Sequence, residues 1–144
     1  MPILFDSSIY VAALRRRKDS AVITQRWARE SRLWLSSVVL EELYAGADAS
    51  GFRILEKLER DFDRARRLLV PNLTDWTQTG KLLARLAQKH GYERIGQTRL
   101  TNDSLIATSA SRAGITVITA NERDFARLAE FCPLQWQTRS IQTV

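Results

Sequence analysis

Short apolar segments alternate with amphipathic helical patterns along this sequence, and this alternation constrains the fold more than any other feature. Each segment is apolar on both faces, and the candidate strands are Ile3–Phe5, Leu33–Leu35, Leu68–Pro71, Ile115–Ile118 and Leu134–Trp136. Strands buried on both faces are typical of parallel sheets covered by helices. The sequence therefore predicts an α/β, three-layer fold with a short central parallel sheet flanked by helices.

The intervening segments carry helical periodicity and capping residues. The predicted helices run from Ser7 or Ser8 to Leu14, from a cap at Asp19–Ser20 through Trp27, from an N-cap at Ser37 over Val38–Ala47, over Phe52–Arg67, from Thr74 or Asp75 to Lys89, from a cap at Thr101 to Arg112, and from a cap at Asn121 through Leu128. The polar stretch from His90 to Arg99 is predicted as a loop. Without an internal repeat or linker, residues 1–144 are expected to form a single domain.

The charge balance favours an acidic partner. The net charge of +6 and a pI near 10.1 suit nucleic acid, although charge alone does not select it. No apolar stretch approaches the ~18 residues of a membrane helix, and Met1–Asp6 lacks the basic start of a secretory signal. A cytoplasmic location without membrane association is expected. Cys132 stands alone, which excludes an internal disulfide and a multi-cysteine zinc site, and it is expected to pack as a small hydrophobe.

Two carboxylates follow candidate strands directly. Asp6 comes immediately after Ile3–Phe5, and Asp124 follows Ile115–Ile118 through a short turn. In open α/β sheets the functional crevice lies beyond the carboxyl ends of the strands, so both are candidate site residues. The alternative interpretation is that Asp6 caps the next helix and that Asp124 is a first-turn helix acid.

Two further carboxylates fall on apolar helix faces. Glu42 lies between Val38 and Gly46 on the apolar arc of its helix. Asp103 heads the apolar stripe of its own helix, which continues with Ile106, Ala107 and Ala110. A buried carboxylate needs a cation, a donor network or a metal. The alternatives are a buried ion pair for Glu42 and a helix-dipole interaction for Asp103.

Together these acids predict a hard-cation site. Clustered carboxylates repel unless a cation joins them, and an oxygen-only set selects Mg²⁺ or Mn²⁺. His90 is the only histidine and falls in the polar loop, which leaves no imidazole for a zinc or iron site. Enzymes with oxygen-only sites act mostly on phosphate esters. Phosphate-binding loops, dinucleotide-binding glycine motifs, the serine-nucleophile motif and the zinc-protease motif are all absent from the sequence.

Four segments resemble PIN-domain ribonucleases, specifically the toxin component of VapBC-type toxin–antitoxin pairs. They are Leu4–Ser8, Ser37–Gly46, Asn102–Ala107 and Val117–Phe125. The resemblance implies a metal-dependent endoribonuclease that cleaves single-stranded RNA by an activated water, leaving a 5′-phosphate and a 3′-hydroxyl. It covers essentially the whole chain, and the joint spacing of the segments is more specific than any one of them.

The same resemblance implies roles for individual residues. Asp6, Glu42, Asp103 and Asp124 are the expected catalytic residues, with Asp6, Asp103 and Asp124 as metal ligands and Glu42 as general base or water-orienting group. The fourth acid has alternatives, because Asn121 occupies the family's other position for it and Glu122 is a second substitute. Ser8 stands where the family often has Asn, and its hydroxyl is expected to hydrogen-bond a metal-bound water and to belong to the substrate-binding residues.

Partners follow from charge and from the resemblance. Arg94 and Arg99 in the polar stretch are expected to contact RNA phosphates, with a solvated surface as the alternative. The resemblance implies a VapB-type antitoxin and a homodimer, and some of the tryptophans at positions 27, 34, 76 and 136 are candidates for an interface. Two other functions stay open: RNA processing by a PIN enzyme without an antitoxin, and a non-catalytic basic RNA-binding module.

Overall fold

The computed structural model describes residues 1–16, 26–91 and 98–139. Its strands are β1 (Ile3–Phe5), β2 (Leu33–Ser36), β3 (Leu68–Leu69), β4 (Thr116–Thr119) and β5 (Trp136–Thr138). Its helices are α1 (Ser7–Arg16), α2 (Ser37–Ala45), α3 (Ala49–Arg64), α4 (Leu73–His90), α5 (Thr98–Ala113) and α6 (Glu122–Ala129), and residues 26–29 are also helical. The predicted cap at Asp19–Ser20 lies outside the described residues.

The five strands form one sheet in the order β3-β2-β1-β4-β5, and every pairing is parallel. The chain starts at the centre with β1, moves outward through β2 and β3, and then returns to the other side of β1 with β4 and β5. The strand order therefore reverses between β1 and β4. This sheet, flanked by helices, confirms the predicted α/β fold class.

Apolar residues at helical spacing fix the helices against the sheet. On α3, Leu55, Leu58 and Phe62 recur every three or four residues, and all three are buried. Burial of each such side chain contributes about 1.5–3 kcal/mol. On α6, Phe125 and Leu128 do the same and are completely buried. Cys132 is also buried, as expected of a small hydrophobe.

The predicted starts of α2, α3 and α4 are wrong by one to three residues. Ser36, rather than Ser37, caps α2, because its side chain accepts a hydrogen bond from the Val38 N–H. Asp48 caps α3, which therefore begins before Phe52. Asn72 caps α4 in a reciprocal capping box with Asp75, which begins that helix at Leu73 rather than Thr74 or Asp75. Neighbouring polar residues competed for each cap, and local sequence does not rank them.

The predicted loop from His90 to Arg99 is helical at both of its ends. His90 ends α4, and α5 already begins at Thr98, so Thr101 lies within the helix and does not cap it. Asp103 consequently lies in the second turn of α5, away from the helix N-terminus. The prediction that Asn121 caps α6 is confirmed.

Two other boundaries differ because of backbone geometry. Helix α3 ends at Arg64 rather than Arg67, since Arg66 adopts a left-handed conformation with φ of 57°. The last strand is Trp136–Thr138 rather than Leu134–Trp136, because pairing with β4 sets Trp136 opposite Val117. Within the described residues, no helix is long and apolar enough to cross a membrane.

Candidate active site

Asp6 lies at the carboxyl end of β1, where the strand order reverses. Phe5 pairs with Ile118 of β4, and the Asp6 N–H donates to the Ile118 carbonyl at 3.1 Å. This register sets Asp6 beside Thr119 at the end of β4. In open α/β sheets, ligands bind outside the carboxyl ends of the strands at such a reversal. Topology alone therefore marks the position of Asp6 as the first candidate for a site.

The Asp6 carboxylate is buried and accepts two hydrogen bonds from hydroxyl groups. The hydroxyls of Ser8 and Thr119 donate to it at 2.5 and 2.6 Å, and the nearby backbone N–H groups of Ser8 and Ile9 also favour its charged form. Burial raises the pKa of Asp6 above its ordinary value of 3.8, and these hydrogen bonds offset the increase only in part. Such a carboxylate gains most from a cation placed against it.

Ser8 connects Asp6 with the end of β4. Its hydroxyl donates to Asp6 and accepts a hydrogen bond from the Ala120 N–H at 3.2 Å. The residue expected on the substrate side thus braces the candidate metal ligand and the turn after β4.

A chain of hydrogen bonds leads from Asp6 to Asp124. The Thr119 hydroxyl donates to Asp6 and accepts from the Asn121 N–H at 2.9 Å. The Asn121 side chain in turn donates to the Asp124 carboxylate at 2.7 Å and caps α6. Asp124 and Asn121, the two candidates for the fourth site position, therefore belong to one network with Asp6. Glu122 is exposed in the first turn of α6.

Glu42 and Asp103 lie on two helices that contact each other. The Asn102 side chain donates to the Glu41 carboxylate at 3.2 Å, which ties the start of α5 to α2 next to both acids. Asp103 is 3% exposed, and the apolar residues predicted to share its face are buried with it. Glu42 is half-buried and lines a groove of about 390 Å³ between α1, α2 and α3.

The donor chemistry fits a hard cation that keeps part of its water shell. The candidate ligands are carboxylates, and no group of three Asp, Glu, His or Cys side chains among the described residues is arranged to hold an ion alone. Mg²⁺ usually binds through one or two carboxylates and retains several waters. Asp6, buried at the crevice with its pKa raised, suits such an ion.

The two residues predicted to contact RNA are Arg94 and Arg99. Arg94 falls outside the described residues, and Arg99 lies in the first turn of α5, where only its backbone is described. His90 ends α4 with its Nε2 3.6 Å from a Glu130 carboxylate oxygen.

Thr119 is the site residue that the sequence reasoning did not single out. The sequence does contain a signal for Thr119, because it is the polar residue at the end of an apolar strand. Asp6 has the same position after β1. Its contact with Asp6 depends on the pairing of β1 with β4, which periodicity does not reveal.

Comparison with known proteins gives one family and several solved structures. A family model described as PIN domain matches this chain over residues 3–131. Comparison with curated proteins finds no match.

Three of the similar structures are VapBC complexes. The chain is 22% identical to one in DNA-bound VapBC from Salmonella typhimurium (TM-score 0.65, covering 96% of this chain and 98% of that chain). It is 25% identical to one in VapBC-1 from nontypeable Haemophilus influenzae (TM-score 0.63, 96% and 98%). It is 26% identical to one in VapBC2 from Rickettsia felis bound to a promoter DNA fragment (TM-score 0.61, 97% and 100%). At 22% identity the first shows a shared fold alone.

Proposed function

This chain belongs to the PIN domain family, and from that premise we propose that it is a metal-dependent endoribonuclease, the toxin of a type II toxin–antitoxin pair, that cleaves single-stranded RNA. The likeness to VapBC structures at 25% and 26% identity over nearly the whole chain supports the toxin assignment. We treat residues 1–144 as one nuclease domain.

One observation carries the proposal: Asp6 is held buried at the reversal between β1 and β4 by Ser8 and Thr119. A helix cap is normally exposed at the helix end and accepts from its first N–H groups. The first N–H groups of α1 also favour the Asp6 anion, but the hydrogen bonds that the carboxylate accepts come from the hydroxyls of Ser8 and of Thr119 on the neighbouring strand. Desolvation of this carboxylate costs free energy. Capping a helix does not require a desolvated carboxylate, whereas binding a cation gives the burial of this charge a function.

Asp6 and Asp103 are the proposed metal ligands, and Asp124 is connected to Asp6 through Asn121 and Thr119. A bound Mg²⁺ or Mn²⁺ supplies activation of water and neutralisation of charge on the scissile phosphate. Ser8 and Thr119 orient Asp6 by donating to both of its carboxylate oxygens. Glu42 is the proposed base or water-orienting group.

The groove beside Glu42 is the proposed antitoxin site. Its apolar walls come from three helices and include Val11, Leu14, Leu43 and Ile54, and Glu42 lies on its surface. Such a groove suits an amphipathic segment whose apolar side chains enter it, with a cationic residue reaching Glu42. A VapB-type antitoxin with these properties would cover Glu42 and keep it from the substrate.

The exposed apolar residues around the start of α4 are the proposed homodimer contact. Val70, Leu73 and Trp76 are 60%, 78% and 55% exposed, whereas Trp27 is buried in the core. Large exposed apolar residues grouped in this way are typical of protein interfaces.

The chemistry of the RNA ends tests the proposed reaction. Purified protein, free of any partner, is incubated with total RNA and Mg²⁺ or Mn²⁺. We expect discrete fragments whose 5′ ends accept an adaptor by direct ligation, because hydrolysis by an external water leaves a 5′-phosphate and a 3′-hydroxyl. Fragments with 5′-hydroxyl and cyclic phosphate ends, formed without metal, would contradict the proposal. Binding of RNA without any metal-dependent cleavage would favour the binding-module alternative.

A further inference from the structure

A second groove, separate from the one beside Glu42, runs along the face of the sheet. Its volume is about 500 Å³, and its lining combines β1, β2, β4 and β5 with the helical residues 26–29. Apolar side chains of the strands, among them Ile3, Phe5 and Ile118, contribute to its floor.

The rim of this groove is strongly basic. Arg26, Arg29, Arg32 and Arg139 line it, and Glu30 is the one acidic residue among its described lining residues. Glu30 is already neutralised, because Arg32 lies 3.2 Å from its carboxylate. Arg29 and Arg139 are exposed, and neither forms an ion pair within the described part of the chain. Positive charge without an acidic counterpart fits an anion that comes from outside.

The groove reaches the edge of the sheet at which the candidate active site lies. The Arg139 N–H donates to the Thr119 carbonyl at 3.0 Å, and the Thr119 hydroxyl donates to Asp6. Phe5, the residue before Asp6, is in the lining. One end of the basic rim therefore lies at the same edge of the sheet as Asp6.

Arg67 fixes the wall that carries Arg29. Its guanidinium donates to the carbonyls of Ala28, Glu30 and Leu33, and it packs on the Phe62 ring at 4.9 Å. A planar group with several N–H donors suits three carbonyl acceptors. This arrangement holds the basic wall in position against the sheet.

We propose that this groove binds the sugar–phosphate backbone of a single-stranded RNA substrate, with Arg29 and Arg139 contacting phosphates beyond the cleavage site. The proposal rests on the nuclease function proposed above. RNA fits better than an acidic peptide because one end of the groove lies at the sheet edge that carries Asp6, and its apolar floor can contact bases and ribose while the rim contacts phosphates.

The test measures RNA affinity against salt concentration in EDTA, so that binding is observed without cleavage. The probes are fluorescent single-stranded RNAs of about 20 and about 4 nucleotides. The groove variant is Arg29→Gln/Arg139→Gln. The control Arg53→Gln/Arg64→Gln removes the same charge from exposed positions of α3. Arg29→Lys/Arg139→Lys keeps the charge.

For the long RNA, loss of two phosphate contacts should reduce the slope of log K against log salt by about 1.4. We expect roughly tenfold weaker binding of the long RNA at low salt, unchanged binding of the short RNA, and near wild-type behaviour of the control and lysine variants. An unchanged slope in the groove variant, or an equal loss in the control, would overturn the proposal.

Cleavage of the short RNA with Mg²⁺ separates this proposal from the nuclease assignment. If all variants cleave it equally and the slope does not change, the groove proposal fails and the nuclease stands. If the slope falls as expected but wild type cleaves neither RNA, the groove stands as an RNA-binding surface and the nuclease assignment fails.

Discussion

Thr119 donates a 2.6 Å hydrogen bond to Asp6 across 113 positions of the sequence. The contact exists because β1 and β4 are neighbours in the sheet, and it joins the two chain segments that end at the reversal of strand order. It fixes one oxygen of a buried carboxylate while Ser8 fixes the other. The proposed catalytic site is therefore built on the rigid sheet, where side chains are held more precisely than on loops.

Asp6 should lower the stability of the metal-free protein at neutral pH. Burial raises its pKa, so the folded state takes up a proton more readily than the unfolded state. The resulting stabilisation is fully present below the unfolded pKa of about 3.8 and is lost as the pH rises through the folded pKa. The free energy of unfolding of Asp6→Asn relative to wild type should thus rise with pH.

Urea unfolding in EDTA across this pH range measures the difference, with the exposed Asp63→Asn as the control for loss of one charge. Added Mg²⁺ should stabilise wild type and not Asp6→Asn. A relative stability of Asp6→Asn that falls with pH would show that Asp6 is stabilised as an anion by the fold itself.

Thr119→Val should impair Asp6 without touching substrate. The change removes a donor to Asp6 and the acceptor of the Asn121 N–H, and we expect a loss of about 2 kcal/mol in stability. The acidic limb of the pH–activity profile should move to higher pH, because the Asp6 carboxylate loses a hydrogen bond that lowers its pKa. Thr119→Ser keeps the hydroxyl and should restore the profile. If Val and Ser behave alike, the hydroxyl does not position Asp6.

Much of this candidate site could be proposed from the sequence, because its acids stand out from local patterns of apolar residues. Asp6 follows an apolar strand, and Asp103 interrupts an apolar helix face. The hydrogen bond between Asp6 and Thr119 could not be predicted from the sequence, because it depends on the strand order. That order is set by contacts between distant segments of the chain. The basic groove combines residues 26–32 with Arg139, and no local pattern links them. The predicted helix starts were wrong where adjacent polar residues, such as Ser36 and Ser37, could both serve as the N-cap.

Arg67 should be one of the more costly positions to change outside the core. Arg67→Met leaves the carbonyls of Ala28, Glu30 and Leu33 without this donor, and we expect a loss of about 3 kcal/mol in the free energy of unfolding. Arg67→Lys should recover only part, because an ammonium lacks the planar donor geometry. Urea denaturation checks this against the exposed Arg64→Gln. Equal stability of the Met variant and wild type would show that these hydrogen bonds contribute nothing net.

Leu73→Glu should convert the proposed dimer to a monomer. Leu73 is 78% exposed, so the substitution should change monomer stability by less than about 0.5 kcal/mol, while a buried charge would disrupt an interface centred on it. Sedimentation velocity measures the oligomeric state, with the exposed Gln88→Glu near the other end of α4 as the control. A Leu73→Glu dimer as stable as wild type would place the contact elsewhere.

We propose that Asp6 at the β1–β4 reversal and Asp103 on α5 cleave RNA with the help of a divalent cation. The most direct measurement compares wild type, Asp6→Asn/Asp103→Asn and the control Asp61→Asn/Asp63→Asn on total RNA, with Mg²⁺, with Mn²⁺ and with EDTA, and sequences the new 5′ ends. We predict discrete metal-dependent cuts by wild type and the control, reduced at least about 100-fold in the site variant. Identical cleavage patterns from all three proteins under every metal condition would contradict the account.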